Sequence, residues 1–268
     1  MCDTVEPMAT TEEPSPAPTT APIDTEDPPM LISIVPITND PCPYRASETF
    51  TPCGEPSRCN VRPNLLIATG GNLDKYYATT DGLTGAKLKT ELNSIIRGHR
   101  QMSYGCVWTA LAQVHKDKNN DDNLIEFYTR RSVSRLRRDC GSGKNDGNCW
   151  NCKHLWTKSK GFSKQGQDAY TDIHHRVSSD KSVNGARINH SFMNGGTPEQ
   201  ECCLCKQGDN FTWEAPDSVK GQIARMVFYM DVRYDGGDGD GDGTGDLELV
   251  DRGTAKDNHL GYLSDLLT

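Results

Sequence analysis

The chain has 268 residues, a formal net charge of -8, 34% hydrophobic residues and a mean hydropathy of -0.68. Those values suit one catalytic domain with a polar tail rather than two full domains. No apolar run approaches the roughly 20 residues a membrane span needs, so a membrane partner is not expected.

The charge is unevenly spread. Residues 1–44 hold eight acids and no Lys or Arg, residues 45–234 hold 27 Lys+Arg against 20 Asp+Glu, and residues 235–268 hold nine acids against Arg252 and Lys256. A basic middle between acidic ends is a surface that can meet a phosphate backbone. Residues 1–30, containing TTEEPSPAPTTAPIDTEDPP, cannot bury enough surface to order themselves and read as a disordered tail. Residues 31–72 read as a Cys/Pro-rich connecting segment. LISIVPI at 31–37 is a candidate strand or docking segment, and Cys42, Cys53 and Cys59 suggest a disulfide-pinned loop.

The folded domain is placed at 73–268. In GLTGAKLKTELNSIIRGH, Leu88, Leu92, Ile95 and Ile96 share one helical face. NLIEFYT at 123–129 predicts a strand. Residues 130–148 predict a cationic loop, and DKSVNGARINHSF at 180–192 a helix. A second helix is expected at 218–230, with Val219, Ile223, Met226 and Val227 as its apolar stripe and Asp217 or Ser218 as its cap. Eleven cysteines and two acceptor tripeptides, Asn189-His190-Ser191 and Asn210-Phe211-Thr212, favour a secreted or periplasmic setting with disulfides. Nothing after Met1 resembles a secretory leader, so the sequence is expected to be a fragment.

The chemistry gathers in CWNCKHLWTKSKGF at 149–162, DIHH at 172–175 and VNGARIN at 183–189. A neutral His is a good base for activating water near neutral pH. An Asn oxygen is a hard ligand suited to Mg²⁺ or Ca²⁺. Lys158, Lys160, Arg176, Lys181 and Arg187 are candidates for phosphate contact.

With YYATTDGLTGAKLKTELNSIIRGH, SYGCVWTAL, DAYTDIHH and VKGQIARMVFYMDVRY in the same order, these stretches make the chain similar to the bacterial endonuclease I family. These are secreted or periplasmic nucleases of the His-Me finger (ββα-metal) type, and the resemblance runs from about Leu73 to Leu267. It implies an α+β fold in which a short β-hairpin and a helix clasp one divalent metal. It implies DNA or RNA as substrate, held by the backbone with little sequence preference. The family's central motif reads W-N-R-E-H, with the His as general base and the Glu as metal ligand. His154 matches the base, and Asn184 matches the Asn that completes the metal site, with Mg²⁺ as the expected ion. Arg187, Lys158 and Arg176 are the expected nucleic-acid contacts.

Lys153 stands where the family has Glu, Cys152 where it has Arg, and Thr157 where it has Pro. The chain also stops at LSDLLT, before the family's usual C-terminal segment, so the domain is expected to be truncated. An ammonium about 4 Å from Mg²⁺ is repelled by roughly 8 kcal/mol at an effective dielectric of 20. The expectation is therefore an impaired nuclease, unless Asp172 or Asp180 substitutes for the Glu or Lys153 itself stabilises the phosphorane.

Residues 235–251, DGGDGDGDGTGDLELVD, place Asp240, Asp242, Thr244, Glu248 and Asp251 at EF-hand-like offsets for a structural Ca²⁺. Zinc on Cys149, Cys152, Cys202, Cys203 and Cys205 is a further option, behind disulfides. His174 and His175 are expected to support the hairpin, His99, His115, His190 and His259 to be structural or superficial, and Trp108, Trp150 and Trp156 to be core residues. A monomer is expected. The rival readings are a pseudoenzyme that binds nucleic acid without cutting, and a Ca²⁺-stabilised extracellular interaction module.

Overall fold

The computed structural model describes residues 73–97, 101–139, 149–195, 197–198, 206–208, 212–237, 243–251, 258–261 and 263–267. The tail, the 31–37 patch, Cys42, Cys53, Cys59, His99, residues 140–148, Cys202, Cys203, Cys205, Asn210, Asp240 and Asp242 lie outside them. In chain order the elements are α1 (Leu73–Tyr76), α2 (Gly85–Ile96), α3 (Tyr104–Val114), β1 (Lys116–Asp117), β2 (Asn120–Ile125), β3 (Ser132–Ser134), β4 (Trp150–His154), α4 (Asp168–Thr171), β5 (Arg176–Asp180) and α5 (Lys181–Arg187). They continue with β6 (Ser191–Phe192), β7 (Thr197–Pro198), β8 (Lys206–Gly208), β9 (Thr212–Glu214), α6 (Asp217–Arg233), β10 (Glu248–Val250), β11 (His259–Gly261) and α7 (Leu263–Leu266). Helices mixed with small sheets make this an α+β fold, as expected. No described helix is long and apolar enough to cross a membrane.

The centre is the antiparallel pair β4–β5, in register from Trp150 opposite Asp180 to His154 opposite Arg176. Side chains on a strand alternate between its faces. Trp150 and Cys152 enter a core with Val107, Leu111, Leu124 and Val133, from α3, β2 and β3. Asn151 and Lys153 instead reach α5 through hydrogen bonds. Ser103 caps α3 by accepting from Cys106 N. Asp180 caps α5 by accepting from Ser182 N and Val183 N, which satisfies donors that the first turn leaves open.

The larger core joins Leu155, Trp156, Val177, Val183 and Trp213 to the stripe of α6. Val219, Ile223, Val227 and Met230 are buried there, while Met226 only packs against the edge. The cap of α6 differs from expectation. Pro216 holds that position, and Asp217 pairs with Lys220 at 2.7 Å instead. The predicted strand 123–129 begins earlier, at Asn120, and stops at Ile125, after which the chain turns through Arg130 at a φ of 57°. Part of the expected loop, Ser132–Ser134, pairs with β2 as β3. The helix predicted for 180–192 ends at Arg187, because Ile188 takes a φ of 46° and the chain leaves into β6.

Candidate active site

Lys153, His154, Lys158 and Asn184 line one cleft of about 400 Å³. β4 supplies Lys153 and His154, and α5 supplies Asn184. The chain beyond β4 adds Thr157 and Lys158, α3 adds Tyr104 and Trp108, and the turn after α5 adds Ile188 and Asn189. A larger cleft of about 540 Å³ lies beside Phe192, Ala215 and Lys220. Its cation is already paired with Glu214 and Asp217, so the reactive groups belong to the smaller one.

His154 is buried beside Tyr170, Phe162 and His175. Its Nε2 lies 2.9 Å from the Tyr170 carbonyl oxygen. Arg176 Nη1 donates to the same carbonyl at 2.8 Å, approaches His154 Nδ1 at 3.3 Å and lies against Nε2. Burial, then the Arg176 guanidinium and His175, holds the imidazole well below the usual histidine range. It therefore stays neutral in the form that can take a proton.

Lys153 is 5% exposed. Its Nζ donates to the Ile188 carbonyl at 2.7 Å and to the Asn184 carbonyl at 3.3 Å. Burial, then the nearby Arg187, lowers its pKa well below that of an ordinary lysine. This is the cost of keeping a cation away from water with no counter-charge. The Asn184 side-chain amide donates to Asn151 Oδ1 at 2.7 Å. The Thr157 hydroxyl is buried in the cleft and has no hydrogen-bond partner.

A hard divalent ion needs about six oxygen ligands, with carboxylates prominent among them. The cleft offers the amide oxygens of Asn151 and Asn184, and at its rim Asp139, whose carboxylate lies 3.8 Å from Lys181 Nζ. Neither acid expected to substitute lines it. Asp172 is buried and accepts from His174, Tyr229 and Tyr234, tying the segment after α4 to α6. Asp180 is spent capping α5. No group of three His, Cys, Asp or Glu suited to a metal occurs among the described residues. With an ammonium in place of the carboxylate, the residues present do not fit Mg²⁺.

Two of the expected phosphate contacts are buried. Arg187 is fully buried, donates to the His154 and Leu155 carbonyls at 3.1 and 2.8 Å, and stacks on Phe192. Burial pushes its pKa down to about 10. Arg176 is also buried, held over the Tyr104 and Tyr170 rings. Both guanidiniums brace β4 from within, and Arg176 Nε and Nη2 and Arg187 Nε have no hydrogen-bond partner among the described residues. Lys158 is exposed, above the Tyr170 ring.

His175 is buried with Nε2 on the Ala169 carbonyl at 2.7 Å, and His174 stacks on Tyr229. Of the expected calcium ligands that are described, Glu248 pairs with His259 at 3.2 Å and Asp251 accepts from Ser264 N, while Thr244 is buried. Zinc does not suit the β4 cysteines. Cys149 is disulfide-bonded, as is Cys106, and burial pushes the free Cys152 thiol up to about 12.

Sequence reasoning passed over Tyr104, Asn151, Thr157 and Ile188 as site residues. Tyr104 and Trp108, four apart on α3, carried a readable signal, since i and i+4 share a helix face. Ile188 carried none, because its part is played by a backbone carbonyl in a strained turn.

The family model for Endonuclease I matches residues 84–237. The chain is 37% identical over 232 residues to the "Extracellular ribonuclease" of Bacillus amyloliquefaciens, covering 80% of this chain and 77% of that protein. It is 44% identical over 179 residues to the "Extracellular ribonuclease" of Bacillus subtilis (strain 168), covering 67% of this chain and 59% of the relative.

Proposed function

Because the chain belongs to the endonuclease I family and is a nuclease, we propose that it hydrolyses the phosphodiester backbone of RNA with little sequence preference, from the cleft beside β4. The relatives' names support RNA as the substrate and secretion as the setting. The observation that carries the reading is the neutral imidazole of His154, lining a cleft that also holds Lys153, Thr157 and Lys158.

In this reading β4, β5 and α5 are the strand pair and helix of a His-Me finger. His154 takes a proton from water, and the water oxygen attacks phosphorus opposite the leaving oxygen. The new P–O bond forms as the old one breaks, and the leaving oxygen takes its proton from a second, bulk water, the proton on His154 returning to solvent. Charge growing on the non-bridging oxygens meets donors already in place, with no water to reorganise. Lys158 at the rim attracts the backbone, and Trp108 and Tyr104 offer faces on which a base can stack.

The family generally depends on a divalent metal. Here the ligand set does not fit one, so we infer a nuclease running well below the rate its scaffold permits. The same observation favours a second reading, a protein that binds nucleic acid without cutting it. Cleavage of single-stranded RNA and supercoiled plasmid by the parent and by His154→Ala separates them. The proposal expects slow cleavage by the parent and a loss of about 100-fold or more in the variant, with the fold retained. Equal rates would remove His154 as the base.

A further inference from the structure

We propose that Lys153 is itself the resident cation of the cleft, binding a backbone phosphate directly together with the Thr157 hydroxyl, so that nucleic acid is held without a divalent ion. The inference rests on the cleft being the nucleic-acid site.

Lys153 is a 95% buried cation by exposure, and the groups it meets are two carbonyl oxygens, with no carboxylate among the described residues. Two carbonyls orient the amino group but supply no counter-charge, so its protonated form is expensive in the empty cleft. A bound phosphate supplies that counter-charge and holds the lysine protonated. Thr157, 2% exposed, lines the same cleft, and its buried hydroxyl has no hydrogen-bond partner among the described residues, a second donor that a phosphate oxygen would satisfy. The third N–H of a protonated Lys153 and the Thr157 hydroxyl give one cleft two donors for the non-bridging oxygens of a phosphodiester.

The support of Lys153 is itself strained. Ile188, β-branched, holds a φ of 46° while its carbonyl accepts from Nζ at 2.7 Å. Asn184 accepts Ile188 N at 3.1 Å, so the same turn fixes both carbonyls around the ammonium. The Lys153 side chain takes the place that a metal of two charges needs, and a metal and the protonated lysine exclude one another.

The test measures binding of an end-labelled, nuclease-resistant 2′-O-methyl RNA by fluorescence anisotropy, in EDTA and in Mg²⁺, with thermal melts of each protein. The parent is expected to bind equally in both buffers and to show no rise in Tm with Mg²⁺. Lys153→Gln, which keeps length and an amide donor, is expected to bind about tenfold more weakly in both. Lys153→Glu is expected to bind only with Mg²⁺ and to gain Tm from it. Parent binding that requires Mg²⁺, or a Lys153→Gln protein that binds like the parent in EDTA, overturns the inference. If either occurs while Lys153→Glu binds and cuts in Mg²⁺, the nuclease reading survives alone. Absence of binding by all three folded proteins in both buffers overturns both.

Discussion

His154 shows how a single side chain is set for one task by groups that never touch substrate. The Tyr170 carbonyl anchors its Nε2, and burial with the Arg176 guanidinium keeps the ring neutral. A base held below its ordinary pKa stays competent as pH falls under 6.5. Arg176→Met keeps the apolar bulk but removes the like charge, so the imidazole pKa is expected to rise. The acid limb of the pH–rate profile should then move to higher pH, and an unmoved limb would show that Arg176 does not act on His154. His154 was legible as the candidate base because the resemblance marks it. The burial of Arg176 and Arg187 was not, because sequence gives the charge of a guanidinium and not which way it points.

Among the elements, α5 matters most to the site, since its seven residues carry Asn184 and end in the turn that holds Lys153. A helix this short is poorly stable alone and depends on its cap. Asp180→Ala removes the acceptor of Ser182 N and Val183 N and is expected to cost about 1–2 kcal/mol. It should lower both Tm and cleavage, with Asp180→Asn recovering most of each. If Asp180→Ala matched the parent in both, α5 would owe nothing to this cap. The sequence placed the start of this helix at 180, one residue before α5 begins, but its end did not follow from periodicity. Asn189 and His190 continue a plausible helix, yet Ile188 turns out of it so that Ser191 and Phe192 can pair with β9. Tertiary pairing there overrides local preference. The stripe of α6 was readable at 3.6-residue spacing, whereas the strands of the small sheets, two or three residues long in places, are too short for any period to show.

For the molecule as a whole, acid should be the weak side. His115 and His175 are buried, and burial lowers both to about 4. The unfolded chain binds their protons below about 6.5, while the native chain waits until about 4. Stability is therefore complete above pH 6.5 and is lost as pH falls toward 4, by at most roughly 3 kcal/mol for each histidine. His174, raised by Asp172, works in the opposite sense but is exposed, so its contribution is small. Thermal melts from pH 7 to 4.5 should show a falling Tm, and a flat profile would contradict the burial of these rings. The central claim concerns one position, a nuclease scaffold whose ion has been replaced by a lysine. The most direct measurement is the rate of RNA cleavage by Lys153→Glu beside the parent, in Mg²⁺ and in EDTA. The account predicts a slow parent rate indifferent to EDTA and a variant faster by about 100-fold in Mg²⁺ alone, the several kcal/mol a metal gives to developing charge. A parent that already needs Mg²⁺, with no gain on restoring Glu, would contradict it.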